Sequence, residues 1–74
     1  MFCIVVVRKL NNCNPVVTKV VELPKHLESD AIKANRYGQK VLTEVRKEIT
    51  EEFVEFTEAD WFFEILEVHS DVDN

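Results

Sequence analysis

Four side chains in this sequence carry atoms suited to a transition metal: Cys3, Cys13, His26 and His69. Two of them, Cys13 and His26, also have the atoms of a thiol nucleophile and its base. Their spacing argues against both chemistries. Structural zinc sites take ligands in close pairs such as C-x-x-C, and this chain has neither that motif nor two histidines at helical spacing. Cys13 lies within Asn11-Asn12-Cys13-Asn14-Pro15, a turn cluster, with no helix start after it to favour a thiolate and no glycine-rich loop to hold an oxyanion. One glycine in the chain cannot build a G-x-G-x-x-G or Walker loop, whose backbone must approach phosphate unobstructed by Cβ atoms. No catalytic residue, metal or cofactor is expected.

Carboxylates are the plentiful reactive group, and they are unevenly placed. Residues from Glu48 to Asn74 hold ten of the fourteen acidic side chains and none of the nine Lys and Arg, so residues 1–47 carry +5 and the remainder −10. Phe53, Phe56, Trp61, Phe62 and Phe63 lie in the same acidic stretch. Glu51, Glu52, Glu55, Glu58, Asp60, Glu64 and Glu67 recur mostly at three- or four-residue intervals, which predicts that several share a face in a helical or extended chain. They do not pair around an apolar pocket as glycosidase chemistry requires. Such a row can meet Lys and Arg on a partner, speed encounter and imitate nucleic-acid phosphates, with Trp61 or Phe62 as the apolar anchor. The competing reading makes Trp61, Phe63 and Ile65 core and the carboxylates a solubilising rim on an edge strand. The opposite sign appears at Lys33, Arg36, Lys40 and Lys47, but a net charge of −5 favours a solvated helix face over direct nucleic-acid binding.

The elements that must position these groups follow from periodicity. Phe2-Cys3-Ile4-Val5-Val6-Val7 is apolar at both odd and even positions, the pattern of a central strand with cover on at least one face. The Asn-rich cluster reverses the chain, and Val16 to Leu23 forms the second strand, with Val17, Val21 and Leu23 on one face and Thr18, Val20 and Glu22 on the other. Pro24 ends it. From Ser29 the period becomes helical, with Ala31, Ala34, Val41, Val45 and Ile49 on one face and Tyr37, Leu42 and Phe53 widening the stripe. Ser29 is the expected N-cap, Asp30 suits the first turn and basic residues nearer the end suit the C-terminus. Gly38 costs about 1 kcal/mol of helix propensity but allows close approach to the sheet. Thr57-Glu58-Ala59-Asp60 resembles a capping box and allows a second helix, yet Trp61 to Val68 has the length and β-branched, aromatic content of a strand. The expected fold is α+β: a small antiparallel sheet of a hairpin plus a C-terminal strand on one long helix, ββαβ, with ββαα as the alternative.

With 74 residues, 46% of them hydrophobic, the chain is expected to form a single domain over residues 1–69 with a frayed end at 70–74. A core this small gives only a few kcal/mol of net stability, so a homodimer or a permanent partner would help. Cys3 and Cys13 fall too far apart on a hairpin to bridge, which together with the lack of a signal-peptide pattern or a membrane-length apolar run points to a cytoplasmic protein.

The order hairpin, long helix, strand in so small a chain resembles the accessory proteins of bacteriophages and mobile elements, among them antitoxins that neutralise host RNase toxins and anti-CRISPR proteins. Ile4-Val5-Val6-Val7, Thr18-Lys19-Val20-Val21 and Tyr37 resemble the first strand, second strand and helix of the T4-type phage antitoxin family. The acidic tail departs from that family, so no binding residue is carried across. The resemblance implies an inhibitor that acts by contact; the charge segregation adds the expectation that this non-enzymatic protein uses its acidic tail on a host protein with a basic surface. Two other readings stand beside it: a homo-oligomeric module, and a small-ligand or nucleotide-binding protein that uses the basic helix.

Overall fold

The computed structural model describes residues 1–69, so the end expected to fray, 70–74, lies outside the described residues. Strands β1 (Phe2–Lys9) and β2 (Val16–Glu22) form the hairpin, helix α1 (Ala31–Glu52) follows, and β3 (Asp60–Glu67) completes the sheet. The order is ββαβ. β1 lies in the centre, antiparallel to both β2 and β3. The Ile4–Val7 run occupies that position because a central strand has both edges paired and can bury β-branched side chains closely.

The hairpin turns at Leu10–Cys13, closed by the Cys13 amide donating to the Leu10 carbonyl at 3.1 Å. Asn12 takes φ of 63°, a left-handed conformation that Asn tolerates better than most residues. In the ladder Val6 faces Lys19 while Val7 faces Val17, which leaves Thr18 as the extra residue of a bulge. The bulge corrects the expected alternation of β2. Val21 and Leu23 share a face as expected, the one towards the helix, but Val17 is moved to the opposite face, because one inserted residue inverts the pleat beyond it.

Helix α1 begins one residue later than expected, with Asp30 and not Ser29 as its N-cap. One Asp30 carboxylate oxygen accepts from the Ile32 and Lys33 amides, each at 3.1 Å. Asp30→Ala is expected to lose about 1 kcal/mol in urea denaturation while Ser29→Ala changes little. Equal losses would mean that the cap is shared.

The helix buries Ala34, Gly38, Val41, Leu42 and Val45 against the sheet, with Tyr37 and Ile49 half-buried beside them. Ala31 and Phe53, expected on this stripe, are exposed. Ala31 precedes the first buried turn, and Phe53 has left the helix with extended backbone as its C-cap. On the sheet the helix meets Phe2, Ile4 and Val6 of β1, Val21 and Leu23 of the hairpin's second arm, and Trp61, Phe63 and Ile65 of β3. Ile4 and Val6 are fully buried and Leu23 is 2% exposed. Gly38 allows the close approach: a Cβ built there would come within 2.8 Å of Phe63 Cδ2 and Cζ and closer still to Cε2.

The capping-box residues Thr57 and Glu58 form the end of a 3-10 turn, Val54–Glu58, and not the start of a second helix. Both cysteines are free thiols, Cys3 buried and Cys13 exposed. No described helix is long and apolar enough to cross a membrane.

Candidate protein-binding surface

Alternation along β3 divides its side chains between two environments. Trp61, Phe63 and Ile65 pack under α1, and the residues between them, Asp60, Phe62, Glu64 and Leu66, point to the other side of the sheet. The register completes that second face in four rows: Lys9 and Asp60; Val17, Val7 and Phe62; Val20, Val5 and Glu64; Glu22, Cys3 and Leu66. Met1 and Val68 extend it, joined by the Val68 amide donating to the Met1 carbonyl at 2.8 Å.

No described element covers this face. On the edge strands Val17 is 58% exposed, Val20 56%, Leu66 46% and Phe62 39%, whereas Cys3 and Val7 on the middle strand are buried at 9% and 8%. Nothing in the sequence signalled Val17, Val20 or Leu66 as surface residues individually. The available signal was β1 itself, apolar on both faces in a chain with one strong amphipathic helix to cover only one of them.

The seven carboxylates do not share one face. Glu51 and Glu52 stand on the last turn of α1, Glu55 and Glu58 in the 3-10 turn, and Asp60 and Glu64 on the open sheet face. Glu67 falls on the helix side of the sheet opposite Phe2, with His69 Nε2 3.7 Å from its Oε1. That is the sole contact of this kind within 4 Å among the described residues, so the other six carboxylates have no Lys, Arg or His nitrogen within that distance there. Glu51 and Glu52 also oppose the helix dipole. The last turn has no basic residue, contrary to the expected basic C-terminal end.

The 3-10 turn is fixed to the sheet by Arg8. Its guanidinium lies 4.1 Å from the centroid of the Phe56 ring and donates to Thr18 Oγ1 at 3.3 Å. The Trp61 indole N–H donates to the Phe56 carbonyl at 3.0 Å. Trp61 is thereby half-buried against the core, and of the two candidate anchors Phe62 is the one directed outward. Phe53, edge-on to Phe56 with centroids 5.9 Å apart, and Val54 add exposed apolar surface between the carboxylates of the helix end and the turn.

An open groove of about 610 Å³ runs between β2 and α1, lined by Lys19, Val21, Tyr37, Val41, Glu44, Val45, Lys47, Glu48 and Glu51. Three carboxylates against two ammonium groups make it a poor phosphate site. Among the described residues no three His, Cys, Asp or Glu side chains converge to hold a metal ion. Comparison with known protein families, curated proteins and solved structures finds no match. What the surface does is therefore read from its chemistry: apolar rows that water leaves unfavourably solvated, beside carboxylates with no Lys, Arg or His nitrogen within 4 Å among the described residues.

Proposed function

We propose that this chain is a non-enzymatic inhibitor that acts by direct contact, occupying a basic surface on a host defence, toxin or nucleic-acid-binding protein. The observation that carries this reading is the uncovered sheet face, where Phe62 and Leu66 alternate with Asp60 and Glu64 on one strand. Apolar side chains supply affinity when desolvated, and carboxylates accelerate encounter and select a cationic partner. The six carboxylates with no Lys, Arg or His nitrogen within 4 Å among the described residues support it further. So do Glu51 and Glu52, held against the helix dipole at a cost in stability, since local rules are most often broken where a site requires it.

The test is capture of a partner from bacterial lysate by the full chain. Glu55→Lys, Glu58→Lys and Glu64→Lys together are expected to abolish capture with an unchanged circular dichroism spectrum. Glu51→Lys with Glu52→Lys is expected to weaken capture while raising stability by about 0.3–1 kcal/mol per substitution. Capture that survives the triple reversal would sink the proposal.

A further inference from the structure

The open sheet face restricts the shape of what it can bind. We propose that it docks a basic amphipathic α-helix of the partner, laid along β1, with apolar side chains on Val5, Val17, Val20 and Phe62 and Lys or Arg side chains reaching Glu22 and Glu64. The inference rests on the proposed function, since it names the occupant of the same surface.

Width is the first argument. Three strands span roughly 14 Å, and a helix with its side chains is about 10–12 Å across. The other face of this same sheet is already filled by one helix, α1. Charge is the second. Cys3, Val5 and Val7 run up the middle strand to Lys9, and three carboxylates stand on either side, Glu22 on β2 with Glu64 and Asp60 on β3, so the face remains net acidic with Lys9 beside Asp60 at one end. A helix whose apolar stripe is flanked by Lys or Arg matches that pattern, because their long aliphatic stems lie along apolar surface and carry the charge to the rim.

The same charges disfavour the other occupants. Two face-to-face arrangements of a second copy centred on Val5 keep its strands parallel or antiparallel to those of the first. With the two-fold axis across the strands Glu64 meets Glu64 of the copy, and with the axis along the strands it meets Val20. Either way a carboxylate is desolvated without a cation, between two chains each of net charge −5. An extended strand gains its affinity from main-chain hydrogen bonds at a sheet edge. This face offers none, because β1 is already paired on both sides.

Nuclear magnetic resonance titration of the full chain in physiological salt tests the proposal with three synthetic peptides of about 18 residues, roughly five helical turns. One has a Leu stripe flanked by Lys, one is its scrambled isomer, and one carries Glu in place of Lys. The Lys peptide is expected to become helical and to shift the amides of Val5, Val17, Val20 and Phe62, with the other two at least about tenfold weaker. Glu22→Lys with Glu64→Lys is expected to weaken the Lys peptide about tenfold and to strengthen the Glu peptide. Equal binding by the scrambled isomer, shifts confined to other surfaces, or a dimer that closes these amides would overturn the helix docking. Capture that is lost in the triple reversal while the Lys peptide fails removes the helix alone. Capture retained in that reversal removes the contact function beneath it.

Discussion

Gly38→Val is expected to leave the chain largely unfolded at room temperature, and Gly38→Ala is expected to destabilise it by about 1 kcal/mol. The sign of the alanine effect is the informative part, because glycine-to-alanine in an unobstructed helix stabilises by about 1 kcal/mol. Here the added methyl has nowhere to go. Gly38 lies one turn from both Ala34 and Leu42 on the buried stripe, and a Cβ would stand 2.8 Å from two atoms of the Phe63 ring. Phe63 is itself held between the helix and the sheet, so relief requires the ring or the helix to shift, an overpacking cost of about 1–3 kcal/mol that outweighs the propensity gain. Valine adds two further carbons to the same collision. A 74-residue domain with a few kcal/mol in reserve does not survive that. Urea denaturation of Gly38→Ala, Phe63→Leu and the double variant checks the cause. The double is expected to be more stable than the two losses added together by about 0.5 kcal/mol or more. A stabilised Gly38→Ala would mean that α1 rides further from β3 than the structure places it.

The elements were legible in the sequence wherever one physical signal acted alone. Ile4-Val5-Val6-Val7 has no helical period and no polar face, and it is the central strand. The helical stripe from Ala34 to Ile49 and the strand-like content of Trp61–Val68 were equally readable, because burial and propensity agree there. Errors arose where two signals competed. Ser29 and Asp30 are both good N-caps, and the carboxylate prevailed by accepting two amides. Val17 was assigned to the wrong face because a bulge at Thr18 inverts the pleat without leaving a compositional mark. The site was less legible than the fold. Spacing suggested one shared row of carboxylates, but the chain passes through a helix end, a 3-10 turn and a strand between Glu51 and Glu67, and each changes the direction in which side chains point. Pleating alone decides that Phe62 faces outward and Trp61 inward. An uncovered apolar face is a property of three strands together, so no single segment could have declared it.

Ile4→Ala is expected to cost about 3–4 kcal/mol, enough to unfold most of the isolated chain, whereas Val5→Ala is expected to cost about 1 kcal/mol or less. The two residues are neighbours on one strand and differ by a single methylene. Ile4 is fully buried beneath α1, and removing three carbons there leaves a cavity among Val21, Ile65 and the helix that the packed layer cannot close. Val5 lies in the middle of the open face between Val20 and Glu64, where its truncation removes contact with two side chains that already face solvent. Val20→Ala, at a position 56% exposed, is expected to stay within about 0.5 kcal/mol of the parent. Midpoints and m-values from guanidinium denaturation measure all three. The contrast tests more than packing, because it asks whether the isolated chain holds its apolar face ready for a partner. Were Val5 and Val20 to cost as much as Ile4, something would already cover that face in solution. A second copy of the chain would then be the occupant, and stability would rise with protein concentration. A steep loss at Ile4 beside shallow losses at Val5 and Val20, independent of concentration, is what a surface reserved for a different molecule requires.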